Sequence, residues 1–141
     1  MNENKIDNIK THLEFLGYVV TSEINDKENK FLLAKSSLKP NLVLWFGHKD
    51  EERTWVRFQS GWNGVKIVDA IAQFKKINEI NRNLAVAKLT VDYNDGSLDF
   101  YSTYMGEYNK KVFGDFIDLF INGVQQTMGS DEFQKLFNAK S

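Results

Sequence analysis

"INEINRNLAVAKLTVDYNDGSLDFYS" occupies Ile77–Ser102. It opens with helical spacing and passes into strict alternation, with Asn94-Asp95-Gly96-Ser97 at its centre. Apolar residues three and four apart argue for a helix, and alternation argues for half-buried strands. An Asp-Gly pair between alternating runs is the strongest short-range hairpin signal. Read as a two-residue turn, Asp95-Gly96 opposes Tyr93 to Leu98, Val91 to Phe100 and Leu89 to Ser102. A four-residue loop Asn94–Ser97 gives the same pairing, whereas a three-residue loop opposes Asp92 to Leu98 and mixes the faces. Register is specified wherever one face is buried, so the first pairing is expected. The reverse face then carries Lys88, Thr90 and Asp92 opposite Thr103, Tyr101 and Asp99.

Upstream, Ile67, Ile71, Phe74, Ile77 and Ile80 mark the buried side of a helix expected from about Val65 to Asn81. Asn81 and Asn83 stand at its exit, where side-chain amides can satisfy exposed backbone groups. Further upstream, strands are expected at Tyr18–Ile24, Lys30–Ser36, Asn41–Phe46 and Arg53–Ser60, broken by Asn25–Asn29, Leu38–Asn41, Gly47–Glu52 and finally Gly61-Trp62-Asn63-Gly64. Connections this short require antiparallel pairing, because a parallel crossover takes a dozen or more residues. Ile6, Ile9, Leu13 and Leu16 define a first helix over about 5–16, capped by Asn4 and stopped at Gly17.

Downstream, Phe113, Phe116, Ile117, Phe120 and Val124 form one stripe over about Lys111–Met128, widened by Val112, Leu119 and Ile121. Gly129-Ser130 reads as a stop and a new cap, followed by a short helix docked by Phe133, Leu136 and Phe137. The order α-β-β-β-β-α-β-β-α-α predicts an α+β fold: an antiparallel sheet of five to six strands with helices packed mainly on one face. No linker or repeat divides residues 1–141, so one domain is expected.

Composition narrows the function. The chain is 42% hydrophobic and 26% charged, as in ordinary globular proteins. Net charge is −1, with nine basic and nine acidic residues in 1–65 and nine and ten in 66–141. Neither half carries the basic footprint of a nucleic-acid binder. There is no Cys, which removes disulfides, thiol nucleophiles and cysteine metal sites. The charged start Met1–Asp7 is unlike a signal peptide, and no apolar run reaches the roughly 18 residues of a membrane span. A cytoplasmic, non-membrane protein is expected.

Candidate chemistry is sparse. Asp92, Asp95 and Asp99 surround a turn, but Gly96 is the fifth residue from Asp92 rather than the sixth, and Thr103 stands where a calcium loop needs Glu. They read as solvated turn acids. His12 and His48 are the only histidines, and no nucleophile elbow accompanies them. Asp115 and Asp118 can share a helix face, but paired carboxylates do acid–base work only when burial separates them. Gly61–Gly64 lacks the Lys and Ser/Thr of a phosphate loop and the basic company of an RNA-binding Gly-x-x-Gly loop, so it reads as a strand-to-helix turn. No catalytic residue, metal ligand or cofactor is assigned.

Trp55, Arg57 and Tyr101 remain, on the strand faces turned from the core. Trp, Tyr and Arg are enriched at binding hot spots. With Lys88 and Thr90 they form the expected protein-binding or dimer surface.

The element order and the stretch Ile77–Tyr104 resemble the YbjN family, bacterial proteins proposed as sensory transduction regulators, and the type III secretion chaperone fold that this family shares. The matching parts are Ile80-Asn81-Arg82-Asn83, the strand Ala85–Tyr93, the acidic turn Asn94–Ser97, the strand Leu98–Tyr104 and the closing helix Lys111–Met128. The resemblance is clearest over 65–128. It implies a non-enzymatic protein-binding module with a regulatory or chaperone role, acting on a protein partner or as a homodimer. The alternative is a small-ligand-binding domain or minor enzyme whose pocket, between sheet and helices, uses Asp115, Asp118 or His12.

Overall fold

A computed structural model describes residues 3–24, 30–46, 55–105 and 109–137. Helix α1 spans Glu3–Phe15. Strands β1 (Val19–Ile24), β2 (Lys30–Lys35), β3 (Leu42–Phe46) and β4 (Trp55–Trp62) follow, then α2 (Ala70–Asn83), β5 (Lys88–Asp92), β6 (Ser97–Met105), α3 (Lys110–Met128) and α4 (Asp131–Phe137). The element order is the one expected. All neighbouring strands pair antiparallel in one sheet of order β1-β2-β3-β4-β6-β5.

The helix ends follow local chemistry. Gly17 takes φ 98°, its N–H donates to Glu14 O and the Tyr18 N–H to Leu13 O. These are the paired bonds of a Schellman stop, and Leu13 and Tyr18 bury the accompanying apolar contact. Asn4 is not the cap, because the helix already runs through it. Asn109 caps α3 by accepting from the Lys111 and Val112 amides. Ser130 Oγ accepts from Phe133 N at the start of α4.

The core lies between the sheet and the helices. Phe58 of β4 sits under α3, with ring centroids 5.6, 5.3 and 5.8 Å from Phe113, Phe116 and Phe120. Tyr104 of β6 meets Phe113 and Phe116 edge-on. Each fully buried phenylalanine contributes about 1.5–3 kcal/mol of transfer free energy, and Phe58, Phe100, Phe113, Phe120, Phe133 and Phe137 are all fully buried. Val112 and Leu119, expected to widen the α3 stripe inward, are exposed.

Three further expectations are corrected. First, the hairpin turn is longer. Tyr93–Gly96 connect the strands, and the pairs are Asp92 with Ser97, Val91 with Leu98 and Leu89 with Phe100. The register differs by two residues, an even number, so each side chain keeps its face. Asp99 consequently opposes Thr90 rather than Asp92. The turn is set by Asp92 and Asp95, whose Oδ1 atoms accept from Asn94 N and Ser97 N, and by Gly96, at φ 71°, donating to Asp92 O. Gly96 O also accepts from Val65 N, so the longer loop is anchored by a tertiary contact that local sequence does not display.

Second, α2 begins at Ala70, where Asp69 caps the Ala72 N–H. Ile67 lies outside the helix, and Ile67, Val68, Ile71 and Phe74 are each more than half exposed. Ile77 and Ile80 are half-buried, and the residue fully buried on α2 is Gln73. Third, β4 continues through Gly61 and Trp62. Gly61–Gly64 therefore closes a strand well before α2 starts. The expected strand residues Arg53 and Thr54, and the turns Asn25–Asn29 and Gly47–Glu52, lie outside the described residues.

Candidate functional site

Alternation on β2, β3, β4 and β6 sends Leu32, Leu44, Phe58 and Phe100 into the core. The intervening residues point to the other side, which no described helix covers. Register lays them out in rows. One row runs Phe31, Trp45, Arg57, Thr103, and the next runs Leu33, Val43, Gln59, Tyr101, Lys88. All of these are half-buried or exposed.

Two contacts organise the face. Phe31 and Trp45 lie with centroids 4.5 Å apart at an interplanar angle of 33°. The Arg57 guanidinium sits 5.2 Å from the Tyr101 ring centroid, an attraction of about 0.5–1 kcal/mol at exposed sites. Packing between neighbouring side chains holds these groups in place without covering them. Aromatic residues and Arg are among the side chains enriched at protein interfaces in general.

Arg57 and Tyr101 are thus brought together on one face of the sheet. Thr90 is exposed on β5, opposite Asp99. Lys88 opposes Tyr101, but its Nζ turns to Asn81 O at 3.1 Å and Leu84 O at 3.4 Å, closing the end of α2. Trp55 opens β4 opposite Met105, and its side chain lies outside the described part. Gln59 lies on this face with Arg57 as alternation along β4 predicts, whereas Phe31 and Trp45 join it without having been expected there. Lys30–Lys35 and Leu42–Phe46 are almost continuously apolar, so only pairing shows which of their residues turn outward.

The remaining candidates separate. The Asp95 carboxyl is held below the usual carboxylate range by its hydrogen bonds from Ser97, side chain first and backbone second. Among the described residues no group of three or more His, Asp or Glu side chains is placed to hold a metal ion. His48 lies outside the described residues. His12, Asp115 and Asp118 do converge: with Phe15, Lys110 and Gly114 they line an open groove of about 800 Å³ between α1 and α3. His12 lies edge-on to Phe113, and its ring rests where a Cβ on Gly114 would stand.

Two polar residues of α2 fix its position. Asn81 makes paired bonds with Leu89, Nδ2 donating to its carbonyl and Oδ1 accepting from its N–H. Gln73 Nε2 donates to Lys66 O and Leu136 O, and Gln73 Oε1 accepts from the Tyr93 hydroxyl.

A six-stranded antiparallel sheet with its helices on one face places the chain in the α+β class. No family model and no curated protein matches the chain. Among solved structures it is similar to YbjN of E. coli, a protein proposed to regulate transcription, with a TM-score of 0.62, 12% identity and 94% of each chain covered. At that identity the similarity is one of fold. No described helix is long and apolar enough to cross a membrane.

Proposed function

We propose that this chain is a YbjN-like, non-enzymatic protein-binding module of the cytoplasm with a regulatory or chaperone role. The observation that carries the proposal is the uncovered sheet face, with Phe31, Trp45, Arg57 and Tyr101 held side by side. Its partner is a protein, and the module also pairs with a second copy of itself through Ile67, Val68, Ile71 and Phe74. Each of those four side chains is more than half exposed, in the first turns of α2 or just before it, and burying them would give a second copy an apolar anchor. The fold shared with YbjN supports a regulatory role.

The test is binding of the protein captured from the native cell, measured after both components are purified. Arg57→Ala/Tyr101→Ala should weaken it at least tenfold with an unchanged melting temperature. Retained affinity removes the sheet face from the proposal. Light scattering should give a dimer mass that falls to the monomer in Ile71→Ser/Phe74→Ser, and a strict wild-type monomer removes the pairing.

A second reading, a small-ligand site or minor enzyme, is favoured by the meeting of His12, Asp115 and Asp118 in one groove. It predicts a metabolite that raises the melting temperature of the wild type but not of His12→Ala or Asp115→Asn.

A further inference from the structure

Gly61 interrupts the row of outward side chains on β4, and Asp99 of β6 lies directly opposite it. The Asp99 carboxylate fills the place a side chain at 61 would need: a Cβ there would collide with Oδ1. Gln59 Nε2 donates to the same oxygen at 3.1 Å, which fixes the carboxylate over the glycine. The ion pairs among the described residues join Lys10 to Glu14 and Lys76 to Glu79 and Glu132, so none neutralises Asp99. Around this half-buried carboxylate is a recess of about 370 Å³ lined by Val43, Trp45, Gln59, Gly61 and Trp62 among others.

A half-buried carboxylate in a recess that the Trp45 indole also lines attracts a cation, by charge and by the negative face of that ring, while the Trp62 indole turns to the core side against Phe100. A planar guanidinium satisfies both features, donating to carboxylate oxygens while stacking on an aromatic surface, and it is more weakly hydrated than an ammonium. The charge repels phosphate and carboxylate groups. We propose that the recess over Gly61 and Asp99 receives an arginine side chain of the protein partner. The proposal rests on the sheet-face reading and names what that face recognises.

The probe is the peptide acetyl-Gly-Arg-Gly-amide, titrated into the isotope-labelled full chain and followed by amide and indole NMR shifts. Its neutral control carries citrulline in place of arginine. Gly61, Asp99, the Gln59 side-chain amide and the Trp45 indole should move with the arginine peptide, and binding of the citrulline peptide should be at least tenfold weaker. Asp99→Asn keeps the shape and should weaken arginine binding at least tenfold. Gly61→Ala should abolish it, because the new methyl displaces the carboxylate. Equal binding of both peptides, shifts mapping elsewhere, or full affinity in Asp99→Asn overturns the proposal. With the natural partner, affinity lost in Arg57→Ala/Tyr101→Ala but kept in Asp99→Asn overturns this proposal alone. Affinity kept in both overturns the sheet-face reading as well.

Discussion

Replacing Gln73 with Met should destabilise the protein by about 3 kcal/mol. Gln73 is fully buried, and its amide joins four parts of the chain: α2, the segment before it through Lys66 O at 2.9 Å, α4 through Leu136 O at 2.9 Å, and the hairpin turn through the Tyr93 hydroxyl at 3.2 Å. Methionine matches the length and flexibility of glutamine but leaves two carbonyls without a donor and a hydroxyl without its acceptor. A buried polar group left unpaired costs about 1–3 kcal/mol. Lys66 is exposed and Leu136 and Tyr93 are half-buried, so water recovers part of each loss. The low end, about 1 kcal/mol for each of three groups, therefore applies. At about 3–5 °C per kcal/mol for a chain of this size, the melting temperature should fall by about 9–15 °C. Urea titration at constant m-value measures the loss. Tyr93→Phe should remove about 1 kcal/mol, and the double variant should lose less than the sum because both changes break one bond. A loss below about 0.5 kcal/mol, the scale of an ordinary surface change, or additive effects would refute the keystone role of Gln73.

Two other perturbations test the supports of the fold. Burial pushes the Tyr18 hydroxyl, which donates to Pro40 O, up to about 12 from 10.0. The folded chain thus favours the protonated phenol. Its contribution is complete below pH 10 and is lost as pH rises through about 12, a decline of roughly 2–3 kcal/mol at about 1.4 kcal/mol per unit. Tyr18→Phe should lack that alkaline decline in urea titrations, and identical pH dependence in the two proteins would contradict the assignment. Asn81→Ala should cost about 1–3 kcal/mol by leaving the Leu89 amide and carbonyl unpaired on the edge strand β5. Hydrogen exchange at Leu89 should accelerate and scattering should show new self-association through the opened edge; unchanged exchange would show that Asn81 does not guard it.

Much of the architecture is legible because its causes are local. Periodicity locates α1, α3 and α4, and Gly17 and Ser130 mark boundaries through the bonds their own neighbours need. The switch at Asn81 is legible for the same reason: its amide reaches only eight residues ahead. The register of β5 and β6 was displaced by two because Val65 anchors Gly96 across more than thirty residues of sequence. Helix α2 was misread because Ile67, Ile71 and Phe74 carry the apolar period without being buried in the chain itself. An apolar period shows that a surface must be covered, but not whether the cover belongs to the same chain.

By itself the sequence determined the element order, the α+β class, and the sharing of one outward face by residues within each strand, because side-chain direction alternates with every residue. The sequence pairs the two hairpin strands with each other but leaves unstated whether either lies beside β4. Only the tertiary structure inserts β6 between β4 and β5, placing Tyr101 under Arg57 and Asp99 over Gly61. Backbone hydrogen bonds between strands impose no identity on the partner. That choice is made by the long-range packing of Phe58 and Tyr104 beneath the same phenylalanines of α3, and it assembles the face on which the proposed binding depends.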